Sequence, residues 1–397
     1  MAGRNANPMS RGLRRLALTL VRVGFAIGRR TPIRGRVVLA TSQADTLGGN
    51  LGAIRAGLAG RSPGIPVTVL ARRRAGTAGW RAGLDLVLAG WHLATARLFV
   101  VDDHYLPMYA IRPRRGTARV QVWHACGAFK KFGYSLADKA FGADAATLEA
   151  FPIHTNYDRC LVSAMRFAPF YAEAFRQPVE RFTSHYGIPR TDLFFDAPRA
   201  AAIAADVRRR YAIPEGRRVI LYAPTFRGEL TTQARSPEGL DLAALRAVLG
   251  ADHVLLVRAH PFVRDRLRIG GAAEGFAIDV SDHPDINELM LASDVLVTDY
   301  SSAIYEFALL GRPIAFLAPD HAAYERERGF YLDFAADLPG PVFEETAELA
   351  AFLRGGAFDL EAVARFRAES FDVADGHATE RFIDELVRPV LAGAPLP

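Results

Sequence analysis

Residues 120–134, VQVWHACGAFKKFGY, place His124 at the end of a short apolar run and two adjacent lysines, Lys130 and Lys131, just beyond a glycine turn. The chain holds 49 Lys and Arg, yet only three are lysines, and all three (Lys130, Lys131, Lys139) fall in this neighbourhood. Arginine is a permanently charged planar fork, whereas lysine is a compact point charge whose pKa can move. An imidazole beside ammonium groups can handle a proton and an anion together. Beyond His124, Cys126 has no second histidine or acid nearby in sequence to activate it, and reads as turn filler.

Other candidates follow apolar runs in the same way. In TDYSSAIYEFALLGRP (298–313), Ser301 and Ser302 stand at the start of an expected helix, where free backbone N–H groups, hydroxyls and the helix dipole favour a phosphate. Glu306, one turn on, can accept from a ribose or cover a solvated face. VLLVRAHPFV (254–263) ends in Arg258 and His260, two groups able to meet a diphosphate, before Pro261 turns the chain out of a sheet. YAPTFRG (222–228) repeats the arrangement with Thr225 and Arg227. Asp285 and Glu288 have capping-box spacing and are credited to helix initiation. VVDDH (100–104) has adjacent carboxylates without a second cluster, so no metal ligands are assigned. There is no GxGxxG, Walker loop or G-x-S-x-G elbow, which withdraws support from hydride transfer, P-loop hydrolysis and serine hydrolysis.

In parallel sheets, ligands sit beyond the carboxyl ends of strands, so the elements matter as much as the motifs. Strand-like runs occur at 36–41, 65–71, 96–103, 119–125 and 159–164, with helical segments at 51–58 and 80–96. A second series follows at 217–225, 253–260, 275–281, 294–299 and 312–319. Two α/β sets predict two Rossmann-like domains facing a cleft, 33–195 and 196–397, with a linker near 190–205.

With 397 residues, half of them hydrophobic, two domains are expected. The net charge of +6 points to anionic partners, phosphorylated metabolites or an acidic membrane surface. No nucleic-acid motif accompanies it, and no nucleic acid is expected as a partner. Two cysteines fit a reducing compartment. Within segment 1–32, RGLRRLALTLVRVGFAIGRR (11–30) gathers Arg11, Arg15, Arg22 and Arg29 within about 40° of a helical wheel, and Leu13, Leu16, Leu20, Val23 and Ile27 within about 80° opposite. Leu18 and Phe25 blur the basic face. The segment is too short to span a bilayer, and it predicts a basic amphipathic helix lying on an anionic leaflet, or else a helix packing only on its own protein.

Taken in order, VWHACGAFKKFG (122–133), YGIPRTD (186–192), ILYAPTFRG (220–228), RAHPFV (258–263) and DINELMLASDVLVTDYSSAIYEFALLGRP (285–313) resemble the CDP-glycerol glycerophosphotransferase family of teichoic-acid polymerases and primases. The resemblance implies a glycosyltransferase-B-type fold, a CDP-glycerol or CDP-ribitol donor, a lipid-linked glycan or polyol-phosphate acceptor, and residence at the cytoplasmic face of the cell membrane. It makes His124 the base, His260 a diphosphate contact, and Ser301 and Ser302 phosphate ligands. Ala125 replaces the glycine that follows the histidine in the family, and DTLGGN (45–50) matches the family's donor-side loop only loosely, so Asn50 is assigned as an acceptor or phosphate contact on that basis. Lys130 and Lys131 are assigned to donor or acceptor phosphate. The expected reaction is attack of an acceptor hydroxyl on the phosphorus bearing the polyol, with CMP leaving. No cofactor is expected apart from the donor substrate, and the sequence does not fix metal dependence, the polyol, or primase against polymerase. The alternatives are a nucleotide-sugar transferase of the same fold and a non-catalytic nucleotide- or polyanion-binding protein at the membrane surface.

Overall fold

The computed structural model describes residues 11–72, 80–139, 141–228, 233–263, 267, 269–334 and 336–396. The first ten residues of the expected membrane-surface segment therefore lie outside the described residues.

Two parallel sheets organise the chain. The first contains β1 (Arg34–Thr41), β2 (Val67–Ala71), β3 (Ala96–Val101), β4 (Ala118–Gln121), β5 (Arg159–Leu161) and β6 (Phe182–Thr183), in the order β2-β1-β3-β4-β5-β6. The second contains β7 (Arg218–Tyr222), β8 (His253–Val257), β9 (Ala277–Asp279), β10 (Val295–Thr298), β11 (Ile314–Leu317) and β12 (Val342–Phe343), in the order β12-β11-β10-β7-β8-β9. Nearly continuous Val, Leu and Ile runs are what a strand covered on both faces requires, and Val37 to Ala40 are fully buried. Each sheet has one point where its winding reverses, between β1 and β3 in the first and between β7 and β10 in the second. There the loops leaving adjacent strands part, and a crevice opens at the carboxyl ends.

The Ala-rich stretch after residue 196 is a helix, Ala197–Arg210, capped by Asp196, whose side chain accepts from the Arg199 N–H. The connection between the sheets is thus a 3-10 turn, Pro189–Phe194, leading into a helix. The chain then returns: Asp192 accepts from the N–H groups of Ala378 and Thr379, and Arg61 pairs with Glu380 and Asp384. The last helices are thereby fastened to the first sheet's helix Gly49–Arg61 (α2). Asp285 caps the helix Ile286–Leu291 as expected, accepting from the Asn287 N–H at 2.9 Å. Glu288 does not close the capping box; its carboxylate meets His283 Nε2 at 2.9 Å.

The N-terminal segment forms a helix, Arg11–Gly28 (α1), packed beside Trp80–Thr95 (α3). The buried face is the small-residue face: Ala17, Val21, Gly24, Phe25 and Gly28. A Cβ at Gly24 would strike the Val87 carbonyl, and one at Gly90 would strike that of Val21, so the two glycines let the backbones touch. Leu13, Leu16, Val23 and Ile27 remain exposed, as do Trp80, Leu84 and Leu88 of α3. Among the described residues no helix is long and apolar enough to cross a membrane.

Candidate functional site

His124 stands just beyond the carboxyl end of β4, on a backbone that its sequence neighbours must hold in place. Trp123 adopts φ 52°, in the left-handed region that a bulky side chain rarely enters. Three hydrogen bonds hold it: Asn50 Nδ2 donates to the carbonyls of Val122 (2.8 Å) and Trp123 (2.9 Å), and Gln121 Oε1 accepts from the Trp123 N–H (2.9 Å). Asn50 Oδ1 in turn accepts from the Arg190 N–H at 3.0 Å. Asn50 therefore acts first as a clamp on the His124 turn. The buried Trp123 ring packs against Phe132 and Phe175, and the half-exposed His124 ring lies over it with centroids 4.4 Å apart. At Gly127, φ is 62°, and a side chain there would enter the ring of Tyr305 from the second domain. Cys126 is fully buried, and burial pushes its thiol up to about 11, so it is not a nucleophile at neutral pH.

His124 borders two cavities. The first, about 260 Å³, lies between the two halves of the chain that carry the two sheets and is lined by Lys130, Lys131, Phe226, Phe262, Ser302 and Arg328 among others. All three lysines approach the second domain at the segment 324–330. Lys130 Nζ donates to Tyr324 Oη (3.2 Å), the Lys131 N–H donates to the Gly329 carbonyl, and the Lys139 chain lies against Gly329. His260 sits beside this cavity with its ring 4.8 Å from Phe226 and 4.9 Å from Phe262. Burial, followed by the charges of Lys130, Arg258 and Arg328, lowers His260 to about 3. A neutral imidazole among three cations is a setting that an anion would relieve. Arg258 and Arg328 are themselves held below the usual arginine range, chiefly by burial, and each keeps a buried Nε without a hydrogen-bond partner.

The second cavity, about 190 Å³, opens at the switch point of the first sheet between the loops after β1 and β3. Thr41, Gln43, Asn50, Asp102, His124 and Arg190 are among its walls. Asp103 Oδ2 lies 3.7 Å from His124 Nδ1, beyond a hydrogen bond but close enough to stabilise an imidazolium.

The remaining expected contacts divide into two groups. Ser302 lines the interdomain cavity and makes no side-chain cap to its own helix, Ala303–Ala308; Ser301 Oγ accepts from the Ala303 N–H at 3.2 Å. Thr225, Arg227 and Glu306 are instead engaged inside the protein. Thr225 donates its N–H and hydroxyl to Asp299 Oδ1 (2.8 and 3.0 Å), and Arg227 joins Asp299 at 2.9 Å and Asp320 at 2.5 Å between the rings of Tyr300 and Tyr324. Glu306, 3% exposed, is paired with Arg190 of the first domain. None of the three lines either cavity: Thr225 and Arg227 share Asp299, and Glu306 is held separately by Arg190. Arg190, Asp102, Asp103 and Arg328 carried no assignment from sequence. Arg190 stands within YGIPRTD, a segment that carries the family resemblance, and the two acids stand within VVDDH, whose adjacent carboxylates in sequence point only toward metal binding. Among the described residues no group of three or more His, Cys, Asp or Glu could hold a metal ion.

The buried imidazoles make stability pH-dependent. His154, stacked on Phe175 with centroids 4.1 Å apart, is lowered to about 3 by burial, matching His260. Free histidine takes a proton near pH 6.5, so the unfolded chain binds more protons than the folded one between about pH 6.5 and 3. Stability is present above that window and falls as pH drops through it, by about 1.4 kcal/mol per pH unit for each group. Urea midpoints measured from pH 7.5 to 4.5 should fall steadily below pH 6.5, and less steeply in a His154→Phe variant; a flat profile would contradict this.

The family described as CDP-Glycerol:Poly(glycerophosphate) glycerophosphotransferase matches residues 29–388. The chain is 35% identical over 363 residues to the teichoic acid ribitol-phosphate primase of Bacillus spizizenii, covering 90% of this chain and 92% of that protein. It is 36% identical over 306 residues to the teichoic acid poly(ribitol-phosphate) polymerase of the same organism, covering 77% of this chain and 49% of the polymerase. Among solved structures, the wall teichoic acid polymerase TagF, H548A, superposes with a TM-score of 0.77 at 22% identity, covering 96% of this chain and 94% of that one, which shows a shared fold. By the extent of these matches, the chain belongs to the CDP-glycerol:poly(glycerophosphate) glycerophosphotransferase family of transferases.

Proposed function

We propose that the protein transfers a polyol phosphate from a CDP-polyol to a hydroxyl of a lipid-linked teichoic-acid-type acceptor, releasing CMP. The carrying observation is that His124 stands on the wall common to an interdomain cavity rich in cations and a polar cavity in the first domain. The two domains then work as in glycosyltransferases of the B type, with the donor diphosphate between them. Lys130, Lys131, Arg328 and Ser302 face the diphosphate, His260 donates a ring N–H to one of its oxygens, and Phe226 and Phe262 offer rings to the base. The His124 imidazole accepts the proton of the attacking hydroxyl, and the Asp103 carboxylate nearby stabilises the imidazolium that forms. The hydroxyl oxygen bonds to the phosphorus bearing the polyol, the bond from that phosphorus to the bridging oxygen breaks with its electron pair going to CMP, and a phosphodiester results. The names of the primase and polymerase relatives favour ribitol phosphate as the unit, with CDP-ribitol as donor. Separating the nucleotide products tests the reaction class: CMP indicates phosphotransfer, whereas release of a nucleoside diphosphate from a nucleotide-sugar indicates glycosyl transfer.

The exposed side chains of α1 and α3 support a place for the site at the cytoplasmic membrane surface. Because α3 runs back from β2, its first turn lies on the side of the sheet where the strands' carboxyl ends and the polar cavity are found. Trp80 (74% exposed), Leu84, Leu88, Leu13 and Leu16 form the apolar part, and Arg11, Arg15, Arg22 and Arg29 supply charge for anionic headgroups. Removing α1 would expose the face of α3 it covers, so the informative change leaves the fold alone: Leu16→Glu with Leu84→Glu. This variant should lose most sedimentation with phosphatidylglycerol vesicles while keeping the wild-type melting temperature; unchanged binding would count against the surface.

A further inference from the structure

The polar cavity in the first domain contains two mismatched atoms. Asp102 Oδ1 and Arg190 Nε are both buried and both lack a hydrogen-bond partner, and the two residues line the same 190 Å³ space. One is an acceptor in need of a donor, and the other a donor in need of an acceptor. Water aside, the simplest group that does both from one atom is an alcohol hydroxyl. The rest of the lining supports a ligand bearing several hydroxyls, since Thr41, Thr46 and Gln43 add side chains that can donate and accept. The volume is below the range of drug-sized pockets, roughly 300–1,000 Å³, so it suits the end of a chain rather than a nucleotide.

The position is equally specific. The cavity lies at the switch point between β1 and β3, where the sheet's topology opens a crevice, and His124 forms part of its wall while also bordering the interdomain cavity. Arg190 is fixed for this role: Nη1 donates to the His124 carbonyl at 2.6 Å, Nη2 pairs with Glu306, and Nε is left over. Asp102 is held at the end of β3 with the hydroxyl of Thr41 on its carboxylate. A group seated between Asp102 and Arg190 thus meets the same imidazole as a donor in the interdomain cavity, but from the other side.

We propose that this cavity is the acceptor subsite, taking the hydroxyl-bearing end of a polyol phosphate, with Asp102 accepting from a hydroxyl and Arg190 Nε donating to it. The assignment rests on the phosphotransfer reading, and it adds which residues choose and orient the nucleophile. It also places Glu306 as a positioning residue, since its carboxylate sets the Arg190 fork.

Steady-state kinetics of CMP release from CDP-ribitol, with a soluble polyol-phosphate acceptor, test it in the wild type and in Asp102→Asn. Loss of a charge-assisted hydrogen bond should raise the acceptor KM about tenfold or more while the donor KM stays within about twofold. An unchanged acceptor KM, or a rise confined to the donor KM, would overturn the assignment. Crystals of the unaltered chain soaked with ribitol 5-phosphate or glycerol 3-phosphate give an answer independent of turnover. Density bridging Asp102 and Arg190 is expected, and density elsewhere or none at all would overturn the subsite. If the wild type releases CMP from neither CDP-ribitol nor CDP-glycerol, it is the phosphotransfer reading that falls, and the soak alone decides the subsite.

Discussion

Replacing His124 by alanine should lower kcat by roughly 10²–10⁴, the usual contribution of a positioned general base, or about 3–5 kcal/mol of barrier. An alcohol is a poor nucleophile at neutral pH, and the His124 imidazole, a side chain able to accept a proton, borders both cavities. The side chain is 50% exposed, so its removal leaves a small void at the surface and the fold should persist. Donor affinity, measured calorimetrically with CDP-ribitol, should change little, because the diphosphate is met by Lys130, Lys131, Arg328 and Ser302. A folded, donor-binding His124→Ala protein with near-normal turnover would remove the imidazole from the chemistry. A loss of donor affinity matching the loss of rate would make it a binding group instead.

The second large effect concerns stability. Arg227 is 6% exposed between Asp299 and Asp320, and Asp299 is 1% exposed. Burial alone would push Asp320 up, but the Arg227 hydrogen bond and charge hold its carboxyl below the usual carboxylate range. Arg227→Met removes the cation and leaves Asp299 charged in the interior, a change that costs about 3–5 kcal/mol. In a chain of this size that lowers Tm on the order of 10 °C by calorimetry. Adding Asp299→Asn should restore part of the loss, because the stranded charge is then gone. A single variant that melts within about 2 °C of the wild type would show that the pair carries little.

How much of this was legible in the sequence depended on whether the signal was local. Apolar runs such as VVLA and VILY declare buried strands whatever surrounds them, and the positions just past them are where the cavities open. The two-residue edge strands β6 and β12 have no such run and became visible only through their pairing with β5 and β11. The three lysines were legible by contrast with an Arg-rich background, and the fold gathers them at one segment of the second domain. Partners distant in sequence were not legible. Glu306 reads as a free acid until Arg190 is brought to it, and Thr225 and Arg227 read as ligands until Asp299 and Asp320 occupy them. In α1 the helical wheel picks out its leucines as the apolar stripe, yet packing follows Ala17, Gly24 and Gly28, because close backbone approach to α3 needs small residues rather than hydrophobic ones.

The most direct measurement is mass spectrometry of the acceptor after incubation of the full chain with CDP-ribitol, CDP-glycerol or UDP-sugars and a lipid-linked disaccharide bearing glycerol phosphate. The mechanism proposed for His124 and the two cavities predicts an acceptor heavier by one or more polyol phosphate units, with CMP formed in equal number and no addition from UDP-sugars. An acceptor that gains a hexose, or gains nothing while the protein still binds CDP-ribitol, would contradict it.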